Sequence, residues 1–179
     1  YAMNTYDMGN HHLVSRPRAE LASMLTDTLP EGLNQVVYGV GGGETVDLAI
    51  KLARGITVKK EVISASGSYH GHTGLALATG DPKFSEKFSP MPHGFKQCRF
   101  NDIKDLENKI GNDTAAVILE TIPATLGIVV PGSTYLKQVK SMCDAHGALL
   151  ILDEIQTGFG RTGRFWGFEH FHVEPDMIT

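Results

Sequence analysis

The chain has only two cysteines in 179 residues, Cys98 and Cys143, and no Cys-x-x-Cys pair. That spacing offers neither a zinc ligand set nor a disulfide framework, so both read as reduced thiols, Cys143 packed within a helix. Excess positive charge is lacking too. The 16 Lys and Arg against 20 Asp and Glu give a net charge of -4, which argues against nucleic-acid and anionic-membrane partners. No apolar run approaches the roughly 20 residues of a membrane span, and Tyr1–Asp7 lacks the charged and apolar regions of a signal peptide. The expected setting is cytoplasmic.

What is present, 41% hydrophobic residues and 20 glycines, falls into alternating helical and strand-like periods. This is the pattern of an α/β protein, a mostly parallel sheet flanked by helices. Helical spacing of Ala19, Leu21, Ala22, Leu25 and Leu29 stops at Pro30, and Gln35–Val40 reads as a strand. Val46, Ala49, Ile50 and Ala53 make one face of a helix over about Glu44–Arg54. Further strands are expected at Glu61–Ser66, Ala115–Glu120 and Ala148–Leu152. A short helix carrying Ile103, Leu106 and Ile110, entered through Asn101 or Asp102 and closed by Gly111, precedes a longer one over Ser133–His146. Asp81–Gly94, with three prolines, reads as a loop. A strand begins near Pro175–Thr179, so the sequence reads as part of a larger domain.

Four constellations carry chemistry. In Gly39-Val40-Gly41-Gly42-Gly43-Glu44 the missing side chains let backbone N–H groups close on an anion, and the helix start adds about half a positive charge. A phosphate is the natural guest, although the same glycines also suit a tight turn without a ligand. As a dinucleotide fingerprint the run fails, because the third glycine of Gly-x-Gly-x-x-Gly falls on Glu44. In the second constellation, the apolar run Leu149–Leu152 ends on Asp153, followed by Glu154, Ile155 and Gln156, and so delivers a carboxylate to the rim of the sheet, where a cationic group is expected. An ATPase would place the same acids there, but the chain has no Gly-Lys dipeptide for a phosphate loop; Asp153 as a cap on a neighbouring helix stays open.

The third constellation is Ser68-Tyr69-His70-Gly71-His72-Thr73, where an aromatic at the rim suits a planar heterocycle and a neighbouring donor suits an oxygen. His70-x-His72 and His170-x-His172 lack a Cys or carboxylate at ligand spacing, so no metal is expected. Fourth is Glu120, another acid that ends an apolar strand. It could orient a substrate amine, brace a positive group, or be a satisfied loop carboxylate, and the residues alone do not separate these.

From about Gly39 to Thr179 the order and spacing of these motifs resemble the class III aminotransferases, pyridoxal-phosphate enzymes of fold type I. Gly41–Arg54 stands where those enzymes open a helix with Ser-Gly-Ser/Thr-Glu-Ala. Tyr69-His70-Gly71 matches their aromatic-His-Gly, Glu120 their Glu-Pro acid, and Asp153–Gly163 with Pro175-Asp176 follows their signature closely. The resemblance implies that residues 1–179 are part of the cofactor-binding large domain, with the C-terminal small domain and the Schiff-base lysine region absent. That lysine is expected a few residues beyond Thr179, and a chain without it is expected to be inactive alone.

The resemblance also implies transfer of an amino group from an amine or amino acid donor to a keto acid, and a homodimer. Asp153 would pair with the pyridine nitrogen, Tyr69 and Ile155 would cover the ring faces, and Gln156 would reach the phenolic oxygen. The N–H groups of Gly42 and Gly43 would hold the phosphate, His70 would sit among the cofactor-binding residues, and Glu120 would lie near the substrate. Departures from the pattern keep donor, acceptor and stereochemistry open: Gly41 and Gly43 stand where hydroxyl residues are usual, Thr121 replaces a proline, and Thr125 stands where several relatives carry a second acid. The alternatives are an aminomutase, a decarboxylating transaminase, and a non-catalytic binding module.

Overall fold

The computed structural model describes residues 15–179. Two compact units make it up, the first ending at Val37 and the second comprising Tyr38–Thr179. In the first, α1 (Arg16–Thr26) carries a proline in its first turn, where the missing N–H would have had no helical partner anyway. The helical period continues to Leu29, but the helix stops at Thr26, where the hydroxyls of Thr26 and Thr28 take the carbonyls of Ser23 and Leu25. Gln35–Val40 is not a strand. Val37, Tyr38 and Val40 are exposed, Val40 at 97%, and the stretch has no ladder partner among the described residues; alternation makes a strand only where a neighbour buries one face.

The second unit holds a five-stranded sheet of β1 (Glu61–Ala65), β2 (Phe95–Cys98), β3 (Thr114–Glu120), β4 (Leu149–Asp153) and β5 (Met177–Ile178), in the order β2-β1-β3-β4-β5. Every pairing is parallel. All of β3 is buried, which is why it reads as a continuous apolar run instead of an alternation. α2 (Gly42–Thr57) lays Val46, Ala49, Ile50 and Ala53 against Val62, Ala116, Ile118 and Ile151 of the sheet, the face its spacing predicts. It runs three residues past Arg54 and ends on Val58 in the left-handed region, at φ 58.

α3 (Gly74–Thr79) and β2 escape the sequence reading. The first is capped from outside, Asp47 Oδ1 on α2 accepting the Ala76 N–H at 2.7 Å; the second is four residues long with two polar members at the sheet edge. Two short turns lie inside the stretch read as a loop, α4 (Pro82–Ser85) and a 3-10 turn (Glu86–Phe88). α5 (Ile103–Glu107) is capped by Asp102, whose side chain accepts the Asp105 N–H at 3.0 Å, and it ends four residues before Gly111. α6 (Tyr135–His146) buries Tyr135, Leu136, Val139 and Cys143 and closes on Gly147 at φ 57. Burial pushes the Cys98 and Cys143 thiols up to about 11 and about 12, so both stay protonated and inert near neutrality. No helix of the described residues is long and apolar enough to cross a membrane.

Candidate functional site

β3 and β4 run in a register that sets Glu120 opposite Asp153, so both strands release an acid at the same edge of the sheet. In parallel α/β sheets this carboxyl edge is where ligands bind. Asp153 is 4% exposed, yet its carboxylate is well partnered: Oδ2 lies 2.8 Å from His70 Nδ1, and Oδ1 accepts the Ile155 N–H at 3.1 Å. A carboxylate beside Nδ1 favours the proton on that nitrogen, so His70 donates and Asp153 accepts. His70 Nε2 is buried without a partner. Among the described residues Asp153 caps no neighbouring helix, and about half of its lone-pair sites stay available.

Glu120 accepts the Tyr69 N–H at 3.0 Å and the Ala124 N–H at 3.4 Å. Burial pushes its carboxyl above the ordinary range, with the Tyr69 N–H pulling down and the Asp153 charge adding to the rise. Glu154, next to Asp153 in sequence, does different work. Its carboxylate accepts the Thr121 hydroxyl at 2.5 Å, the Gly167 N–H at 2.7 Å and the Phe168 N–H at 3.0 Å, fastening the start of the 3-10 turn Gly167–Phe171. Successive side chains leave an extended chain on opposite sides, so one acid of the pair reaches the cavity and the other braces the structure.

The opposite side of the site is made by glycine. Gly41 is the extended N-cap of α2, at φ -173, with no side-chain cap bond, and Glu44 reaches back to accept the Val40 N–H at 2.5 Å. The first-turn N–H groups of the helix have no intrahelical partners. A Cβ on Gly42 would lie 2.7 Å from Ile155 Cδ1, one on Gly43 2.7 Å from Thr73 Oγ1, and one on Gly71 2.5 Å from Gly43 Cα. Gly71 also sits at φ 122, where side chains are strained. Gly71 is therefore required by close approach of backbone and by conformation, whereas at Gly42 and Gly43 the crowding comes from the side chains of Ile155 and Thr73.

Between acids and glycines lies a cavity of about 240 Å³ lined by Gly42, Gly43, Tyr69, His70, Gly71, Glu120, Ile122, Asp153, Ile155, Gln156 and Thr157. All eight residues singled out from the sequence, Gly42, Gly43, Tyr69, His70, Glu120, Asp153, Ile155 and Gln156, face this one space. The second histidine of the Tyr69 loop lies elsewhere: His72 packs on Tyr69 and Phe84 at ring distances of 5.3 and 5.6 Å. His170 Nε2 meets the Thr162 carbonyl at 3.0 Å, and among the described residues no three His, Cys, Asp or Glu are grouped to hold a metal. Sequence reasoning missed Asp47, and it named Gly71, Thr121 and Glu154 without these roles. A polar residue at the edge of an apolar helix face was the signal for Asp47, and the change of side after Asp153 was the signal for Glu154.

A parallel sheet that sets a buried acid and a glycine-opened helix around one cavity is the cofactor-binding large domain of a fold type I pyridoxal-phosphate enzyme. A transaminase from the marine bacterium Virgibacillus shares it with a TM-score of 0.91 at 30% identity, over 99% of this chain and 45% of that one. So does the ornithine aminotransferase of Toxoplasma gondii, with a TM-score of 0.91 at 26% identity, over 99% and 44%. The sequence pattern of the class-III aminotransferases matches residues 3–179, and the chain belongs to that family. It is 51% identical over 178 residues to an uncharacterized aminotransferase of Archaeoglobus fulgidus, covering 99% of this chain and 42% of the relative. It is 41% identical over 165 residues to the acetylornithine aminotransferase of Methanopyrus kandleri, covering 92% and 42%. The chain thus spans about 42% of the length of these curated relatives.

Pyridoxal phosphate is the cofactor of this family. The residues present fit it. The cavity has a carboxylate with acceptor sites to spare for a ring N–H and a helix start cleared of side chains for an anion; Tyr69 and Ile155, 39% and 44% exposed, add apolar surface to the lining.

Proposed function

We propose that the full-length protein is a pyridoxal-phosphate-dependent transaminase that moves an amino group from an amine or amino acid to a keto acid. The observation that carries this is the buried Asp153 carboxylate lining the same cavity as Gly42 and Gly43. When bound, pyridoxal phosphate supplies a conjugated ring that takes up the electron pair left on the amine-bearing carbon of the substrate. Asp153 would hold a proton on the ring nitrogen, since an opposite charge beside that nitrogen raises its pKa. His70 Nδ1 and the Ile155 N–H keep the carboxylate in place for this. The N–H groups of Gly42 and Gly43 would bind the phosphate, Tyr69 and Ile155 would cover the ring, and the Gln156 amide would donate to its oxygen. Glu120, fixed by the Tyr69 N–H, would orient the substrate amine.

No lysine lines the cavity. The proposal therefore takes residues 1–179 as part of the large domain, with the cofactor-joining lysine and the small domain elsewhere in the full-length protein. Acetylornithine and ornithine, in the names of relatives, both end in a primary amine on an unbranched chain, which makes terminal amines the first donors to test. Those names also favour transfer over the mutase, decarboxylating and non-catalytic alternatives. The reading includes a homodimer and a cytoplasmic setting, supported respectively by the resemblance and by two buried, free cysteines.

The test is a visible spectrum of the full-length protein with pyridoxal phosphate, before and after borohydride, followed by product analysis with a terminal amine and a keto acid. A chromophore fixed to the protein and an amino group found on the keto acid are expected. No fixed chromophore and no transferred nitrogen with any amine would refute the proposal.

A further inference from the structure

The ladder between β3 and β4 ends at the pair Glu120 and Asp153, and from there each chain alternates. Glu120 and Ile122 line the cavity from one strand end, Asp153 and Ile155 from the other. The residue between each pair, Thr121 or Glu154, is buried behind that lining. These two meet. The Thr121 hydroxyl donates to Glu154 Oε1 at 2.5 Å, and the Thr121 N–H donates to the Asp153 carbonyl at 3.4 Å. The last ladder pair therefore has strand bonds on one side and the bonds of Thr121 on the other.

Of the two partners, Glu154 is the fixed one. Its N–H donates to the Thr179 carbonyl at 2.9 Å, and its own carbonyl accepts the Thr157 and Gly158 N–H groups at 3.1 and 2.7 Å. Its carboxylate also takes the Gly167 and Phe168 N–H groups. Thr121 leans on this post. The Glu120 carboxylate is held by the Tyr69 and Ala124 N–H groups, neither of which lies on β4, so Thr121 adds the tie that relates this acid to the Asp153 segment beyond the ladder. A proline, the residue of the family pattern here, restricts the backbone through its ring; Thr121 restricts it through an N–H and a hydroxyl.

We infer that Thr121 is a positioning residue for the proposed reaction: its hydroxyl bond to Glu154 fixes where the Glu120 carboxylate and Ile122 stand relative to Asp153. It thereby sets where a substrate amine sits against a ring held by Asp153. The inference rests on the transaminase reading and deepens it by one residue that touches neither ligand.

The test is the single-turnover half-reaction of the full-length holoenzyme with a terminal amine, read from the cofactor absorbance, together with the affinity of the apoprotein for pyridoxal phosphate. Thr121→Val keeps the N–H and the shape but removes the hydroxyl; it should lower the maximal rate about tenfold and leave cofactor affinity unchanged. Thr121→Ala carries the same expectation and covers the case of a Thr121→Val that does not fold. Thr121→Ser should react as wild type. In a Glu120→Gln background, Thr121→Val should lower the rate by less than about twofold more, because the group it positions is already altered. A wild-type rate without the hydroxyl, an equal loss in Thr121→Ser, a parallel loss of cofactor affinity, or losses at positions 120 and 121 that multiply each overturn the assignment while leaving the proposed function intact. No transfer by the wild-type protein with any amine overturns both.

Discussion

On the acid side of the cavity, Asp153 and Glu120 are held by partners that can be named atom by atom: a histidine nitrogen and a backbone N–H for the first, two backbone N–H groups for the second. On the glycine side, Gly42, Gly43 and Gly71 are held by what they lack, neighbouring atoms standing where a Cβ would be. The acid side is therefore sensitive to charge and tolerant of small changes in size. The glycine side is the reverse. A ligand with a cationic ring at one end and an anion at the other needs both, because a carboxylate would repel the anion and a bare turn cannot hold the ring's proton.

The contrast breaks most readily at Gly71. Its Cβ would meet the backbone of Gly43 at 2.5 Å, at a φ of 122 that side chains rarely adopt. Gly71→Ala should cost about 3 kcal/mol, strain and overpacking together, read as a shift in urea midpoint. A loss below about 1 kcal/mol would show that the glycine side yields, and the distinction would fail.

Glu120 sharpens the other half. Its carboxyl is raised by burial, so its contribution to stability is intact below the unfolded value of about 4.3 and is lost as pH rises through the folded value. Glu120→Gln carries no such charge. The stability of this variant relative to wild type should therefore improve as pH rises from about 4 towards neutrality, measured by denaturant midpoints. A change of the opposite sign would mean that the carboxylate is better satisfied than its surroundings indicate.

The smallest effect is expected at Gly41, which is extended and has nothing within 4 Å of its Cβ position. Gly41→Ser should stabilise the protein by about a few tenths of a kcal/mol, seen as a slightly higher melting temperature, as a serine N-cap replaces a glycine. A loss of about 1 kcal/mol would mean that this position is as crowded as its neighbours.

Most of what builds the cavity was legible because it lies in long apolar periods and their ends. β1, β3, β4, α2 and α6 announce themselves by buried runs and faces, and the acids and glycines stand where those runs stop. What escaped depends on contacts between distant segments. α3 exists because Asp47 caps it across 29 residues, and Glu154 acquires its role from a threonine 33 residues earlier. Gln35–Val40 failed for the converse reason: a good local pattern with no neighbour among the described residues to pair it. Glu120 could not be assigned from sequence because both of its partners are backbone N–H groups, which no residue type advertises.

The central claim is that Asp153 keeps the ring nitrogen of pyridoxal phosphate protonated. Nitrogen NMR of the full-length protein loaded with ring-labelled cofactor tests it directly. The account predicts the shift of a protonated pyridine in the wild type and of a neutral one in Asp153→Asn, with the cofactor still bound. A neutral shift in the wild type, or the same protonated shift in both proteins, would contradict it.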